Sequence, residues 1–221
     1  MRRAQASMAV LAVCGALATP ALADDGGWHL RVFAAGFDPD IGETIVNDDG
    51  DDVRVGGGSD LGFGAGLEYR FTDRIGVEVA IMQGAPEVSL SADVPGLGQL
   101  ALADDMNTVV VSGDLLIHLT PASPTLDFYL GAGLANVSYG DLRFEVLDLD
   151  TLEVSVDDDF TWSLRAGVDI AFGQSSHWAA VGGIRYVPTD LELREAGAPA
   201  SDSVSVGADL FNFTVGVAYS F

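Results

Sequence analysis

Apolar and polar positions alternate with period two in one segment after another, over runs of about ten residues, the spacing of membrane β-strands rather than of helices. Trp28 to Phe37 sets Trp28, Leu30, Val32 and Ala34 against His29, Arg31 and Phe33. Leu61 to Phe71 is nearly perfect, with Leu61, Phe63, Ala65, Leu67, Tyr69 and Phe71 facing away from Gly62, Gly64, Gly66, Glu68 and Arg70. The same pattern predicts strands over Ile75 to Gln83, Thr108 to Leu119, Asp127 to Tyr139, Thr161 to Phe172, Trp178 to Val187 and Leu210 to Phe221. Beyond the first 23 residues no run approaches 18 consecutive apolar positions, so helical spans are excluded.

Alternation alone leaves open which face is inside, because a soluble ligand-binding barrel shows the same period with its apolar face inward. Three features favour the membrane arrangement. The segments are long for a soluble sheet, whose strands run to about 5–6 residues. The second face is built of Gly, Ala and Ser with isolated charges, which suits the narrow interior that eight strands enclose. Connections also alternate in length: tight turns at Thr72-Asp73-Arg74, Thr120 to Thr125 and Gly173 to His177, long segments at 38–60, 84–107, 140–159 and 188–209. The predicted fold is all-β, an eight-stranded antiparallel transmembrane up-and-down barrel with short periplasmic turns and four long extracellular loops.

Charge changes the picture by where it falls. The chain has 10 basic residues, all arginine, against 33 acids, a formal charge of −23, yet 48% of its residues are hydrophobic. That combination argues against intrinsic disorder, and the acidity argues against nucleic-acid binding. Of the 33 acids, 25 lie in the four long connections, opposed there only by Arg54, Arg143 and Arg194. Their plain role is to keep exposed segments solvated; clustered carboxylates also suit divalent cations, directly or as bridges to anionic lipopolysaccharide. Asn47-Asp48-Asp49-Gly50-Asp51-Asp52 is the densest cluster, but it departs from the EF-hand spacing and lacks its Glu, so Asp48, Asp49, Asp51 and Asp52 are the only metal candidates and no metal or other cofactor is assigned. Residues 1–23 read as a cleaved secretory signal: Arg2 and Arg3, an apolar run, then Ala21-Leu22-Ala23. The remaining 24–221 would contain no cysteine, the lone Cys14 lying in the leader.

On the inward face the alternation places Arg31, Arg70, Arg165 and Arg185 with Glu68, Glu78, Asp114 and Asp169, four charges of each sign. Mutual pairing is expected, since an unpaired charge in a tight interior is costly and arginine binds carboxylate bidentately. Strand direction puts Arg70, Glu68, Glu78, Asp114, His118 and Asp169 in the periplasmic half or near mid-depth and leaves Phe33, Phe37, Met82 and Val110 toward the outside, predicting an apolar funnel above a charged plug. A solute taken up by such a funnel would leave sideways into the bilayer.

These residues resemble the outer membrane protein W (OmpW) family of small barrels. The likeness rests on His29-Leu30-Arg31, on Leu61 to Phe71 followed by Thr72-Asp73-Arg74-Ile75-Gly76-Val77-Glu78, on Tyr129-Leu130-Gly131-Ala132-Gly133, on Gly167-Val168-Asp169 and on the closing Gly216-Val217-Ala218-Tyr219-Ser220-Phe221. It implies a Gram-negative outer-membrane barrel associated with passage of small hydrophobic molecules, as in alkane-uptake relatives. An enzyme is a rival, since lipid A deacylases and palmitoyltransferases are also eight-stranded barrels. His29, His118 and His177 fall near the periplasmic side and no His-x-Ser-Asn stretch occurs, so catalysis is not expected. A second rival is an inert barrel that displays acidic loops to cations or lipopolysaccharide.

Overall fold

The computed structural model describes residues 27–46, 52–94, 98–123, 125–146, 150–173, 177–195 and 203–221. The expected signal, Asp48, Asp49, Asp51 and the side chain of Asp52 lie outside that description. Among the described residues sixteen strands follow in order: β1 (Gly27–Asp40), β2 (Gly42–Val46), β3 (Asp52–Gly57), β4 (Asp60–Arg70), β5 (Ile75–Gly84), β6 (Glu87–Val94), β7 (Gly98–Asp105), β8 (Thr108–His118), β9 (Leu126–Tyr139), β10 (Leu142–Val146), β11 (Asp150–Val156), β12 (Asp159–Ala171), β13 (Trp178–Val187), β14 (Asp190–Glu195), β15 (Val204–Gly207) and β16 (Asp209–Ser220). Eight of them close an antiparallel barrel in the order β1-β16-β13-β12-β9-β8-β5-β4. At 10 to 14 residues each, these strands have the length a tilted membrane strand requires, about 9–11 residues.

Parity decides the two faces. Val32, Phe63, Val79, Leu115, Leu134, Leu164, Ile184 and Val215 project outward and are exposed, forming the lipid-facing band. Aromatic girdles flank it. At the turn end Trp28 packs on Tyr69 with ring centroids 4.9 Å apart, and Trp178 on Tyr219 at 4.9 Å. At the outer end Tyr186 lies between Trp162 and Phe211, at 5.7 and 5.0 Å.

The four connections expected as loops are instead largely strand. Each barrel strand continues outward into a hairpin arm, and the arms form two four-stranded sheets, β2-β3-β6-β7 and β10-β11-β14-β15. Their sequence alternates like the barrel's: Val88 in β6, Leu142 and Phe144 in β10, Val156 in β11, Leu191 in β14 and Val206 in β15 point inward and are buried together with Ile41, Val55 and Met106. Polar neighbours such as Glu87, Arg143, Glu153 and Glu192 point out. The wall therefore extends beyond the barrel as a sandwich around a second apolar core. No ladder joins β7 to β10 or β2 to β15 among the described residues, which leaves two seams on opposite sides. Side chains bridge where ladders stop. Asp104 accepts the backbone N–H of Arg143 at 2.7 Å, Asp60 that of Ala85 at 2.8 Å and Asp158 that of Tyr139 at 3.3 Å, so part of the acidity pairs backbone donors at the barrel rim.

Candidate functional site

Inside the barrel the side chains form two stacked layers. The lower, nearer the turns, is ionic and draws on seven of the eight strands. Arg31 of β1 is at its centre, with Nη1 at 2.7 Å from Glu68 and 2.5 Å from Glu78, and Nη2 at 2.8 Å from Asp169. Arg70 bonds Glu68 at 3.1 Å, Asp127 at 3.0 Å and Asp169 at 3.4 Å. Arg165 pairs with Glu78 and donates to the Tyr129 hydroxyl at 2.9 Å; Arg185 pairs with Asp114 at 2.8 Å. Asp114 also accepts the hydroxyls of Ser163 and Ser112, at 2.8 and 3.2 Å. His118 is held between two carboxylates, Nε2 at 2.7 Å from Glu68 and Nδ1 at 2.7 Å from Asp127. The Tyr129 ring has guanidinium carbons of Arg31 and Arg165 at 5.2 and 5.1 Å from its centroid, within cation–π range.

All eight charged residues read from the alternation thus lie in one connected layer. The expected balance of four against four needs correction: Asp127 also belongs, so four guanidiniums and one histidine meet five carboxylates. Asp127 is the second residue of β9, where alternation has barely begun, although its odd number shares the parity of Tyr129. Glycine makes the layer possible. Arg31 lies opposite Gly66, Arg70 opposite Gly76, Arg165 opposite Gly131 and Asp114 opposite Gly133 in the strand register. A Cβ on Gly66 would sit 3.1 Å from the Glu78 carboxyl, and one on Gly131 2.7 Å from Cγ of Arg165. Each long charged side chain fills the space that its neighbour lacks.

The upper layer is apolar. Phe33, Phe37, Met82 and Val110 lie in it, packed with Ala35, Ala135, Val137, Val187 and Leu210. The predicted funnel is filled rather than open: Phe37 and Val110 are 0% exposed and Met82 2%. Eight strands leave an interior just wide enough for side chains, and here mostly apolar ones fill it, with Asn212 buried opposite Phe37. Tyr139 packs against both this layer and the core of the outer sandwich, so the two apolar regions form one column. Its hydroxyl bonds Thr189, tying the top of β9 to the link between β13 and β14. Where the layers meet, a void of about 10 Å³ is lined from the lumen by Phe33, Met82 and Arg165 and at the wall by Gly183, Ile184 and Thr214. Among the described residues no group of His, Cys, Asp or Glu is disposed to hold a metal ion.

The family model of the outer membrane protein beta-barrel domain matches residues 9–221. No curated protein matches the chain at a significant level. Among solved structures, OprG from Pseudomonas aeruginosa superposes with a TM-score of 0.67 at 19% identity, over 89% of this chain and 96% of that one. AlkL gives 0.58 at 20% identity over 92% and 94%, and Neisserial surface protein A gives 0.54 at 13% over 88% and 97%. Likeness at these identities establishes the shared barrel fold.

Proposed function

Because this chain belongs to the outer membrane protein β-barrel domain family and resides in the Gram-negative outer membrane, we propose that it admits small hydrophobic molecules through its outer half and releases them sideways into the bilayer. The observation that carries this reading is the layering of the lumen: an apolar column runs from the outer sandwich into the barrel and stops on a bonded ionic floor. An apolar solute is stabilised in the first environment and strongly disfavoured in the second, where it would break charge pairs without replacing them. Straight passage is therefore blocked. The small void beside Gly183 and Thr214, at the foot of the column, is where lateral exit would begin, because Gly183 contributes no side chain there. Admission requires Phe33, Phe37 and Met82 to move aside; methionine, unbranched and flexible, is suited to that. The resemblance to the outer membrane protein W family points the same way.

Uptake of an apolar fluorescent solute into liposomes tests the proposal. The wild-type protein should accelerate uptake, and Phe33→Asp with Met82→Asp should abolish the acceleration while heat-modifiable migration on a gel shows the barrel still closed. Equal uptake with and without protein overturns the proposal.

The close packing of the upper layer favours a second reading, in which the lumen is inert and the barrel serves to display the acidic outer sandwich to divalent cations or lipopolysaccharide. That protein would leave liposome uptake at the background rate and bind lipopolysaccharide in a manner reversed by chelators.

A further inference from the structure

Asn212 of β16 is a polar side chain set in the apolar wall of the lumen. It is 0% exposed and stands opposite Phe37 of β1 and Arg185 of β13 in the strand register. Thr108 and Thr189, buried hydroxyls toward the outer end of the barrel, each donate to a backbone carbonyl. Asn212 is less well served. Its Nδ2 reaches the Gly36 carbonyl at 3.5 Å, the long limit of a hydrogen bond, and its Oδ1 has no hydrogen-bond partner among the described residues. A buried acceptor left in that state is destabilising, and an aliphatic side chain would suit an apolar wall better. The position is the foot of the column. On β16 Leu210 precedes Asn212 in the apolar layer, and Thr214 follows it at the void of about 10 Å³ where the layers meet, which Arg185 and Arg165 also line. That volume is close to the roughly 10–15 Å³ that one water-sized group needs. The two guanidiniums differ in their bonding. Arg165 is bonded to Glu78 and to the Tyr129 hydroxyl, whereas Arg185 gives Nη2 to Asp114 at 2.8 Å and reaches Ser163 with Nη1 at 3.5 Å. An orphan acceptor and an under-used donor thus stand on adjacent strands, where the Cβ atoms of opposite residues are about 4.5–5.5 Å apart.

We propose that the solutes taken up by the column are small amphiphiles with a single neutral hydroxyl, the alkyl tail in the apolar layer and the hydroxyl at its foot, donating to Asn212 Oδ1 and accepting from Arg185. This rests on the uptake reading and narrows its substrate class. Head-group chemistry makes the selection. An alkane fills the column and leaves the acceptor and the donor as they were. An ester supplies an acceptor but no donor. A carboxylate sets negative charge against Asn212 Oδ1 and near Asp114, and a primary amine sets positive charge between Arg165 and Arg185. A hydroxyl carries one donor and two acceptor lone pairs on one small atom, with no net charge to disturb the paired ionic layer beneath.

The test places the protein in lipid nanodiscs with isotope-labelled methionine methyls and follows Met82, which lines the void, while octanol, octane or octanoate is added to equal mole fractions in the bilayer. The expected result is a saturable shift of the Met82 methyl resonance, reached with octanol at a mole fraction about tenfold lower than with octane or octanoate, the scale of one hydrogen bond to a buried group. Asn212→Leu removes the acceptor and keeps the size of the side chain. It should leave octane binding unchanged and bring octanol to the octane level, with heat-modifiable migration showing the barrel closed. Asn212→Ala, which introduces no clash, should do the same and guards against a folding defect in the leucine variant. Asn107→Ala, exposed at the outer rim, should change nothing. No saturable shift with any of the three solutes overturns the uptake reading and this inference together. Octane or octanoate binding the wild type as tightly as octanol, or an octanol advantage that survives both Asn212→Leu and Asn212→Ala, overturns this inference alone.

Discussion

Arg31 shows what a single residue does in this interior. It is 1% exposed and touches three carboxylates on β4, β5 and β12. Replacing it with methionine keeps the volume but leaves those carboxylates buried and undercompensated, which should lower stability by about 3–5 kcal/mol; urea unfolding in lipid vesicles measures it. Its opposite number is glycine. A Cβ at Gly167 would fall 2.9 Å from the Gly182 carbonyl and against the Tyr129 ring, so Gly167→Val should cost about 1–3 kcal/mol by overpacking in the same assay. Parity in the sequence placed both kinds of residue on the inner face. It carried no information on which guanidinium meets which carboxylate, because partners such as Arg31 and Asp169 are 138 positions apart.

The strands themselves were legible in all eight barrel segments, since lipid on one side and a narrow lumen on the other impose strict alternation. Mid-depth positions on the lipid face should resist charge: Leu134→Arg should destabilise the barrel by about 2–4 kcal/mol in vesicle unfolding, the cost of arginine near the bilayer midplane. The outer hairpins are harder to see in the sequence. Leu142 and Phe144, or Leu191 and Leu193, carry the same period, but abundant Asp and Glu on the other face made the segments resemble solvated connections. Acid is compatible with a strand whose outer face meets water. Phe144→Ala should therefore speed amide hydrogen exchange in β10, β11 and β14 while leaving the barrel amides protected, because its ring is buried in the outer core rather than in the lumen.

For the whole molecule the charge separates by compartment. In the barrel strands between the girdles, acids and arginines gather in the ionic layer, where they nearly cancel; the surplus negative charge is carried by the outer sandwich and its rim. With the lumen closed by that layer below and by Phe37, Met82 and Val110 above, the protein should show no steady ion conductance in a planar bilayer in molar salt. A stable open-pore current would contradict the closed lumen. Sequence by itself determined the barrel, its strand count, the lipid-facing set and the sorting of charge to the inner face, because a two-residue period and the bilayer's thickness act locally on each segment. Only the tertiary structure decided that the lumen is filled and the loops folded. It alone made a fifth carboxylate, Asp127, a member of the ionic layer, and set it opposite Asp169 in the β9–β12 register. Those properties depend on side chains from distant strands meeting in one space, and their volumes and pairings exist only once the sheet has closed.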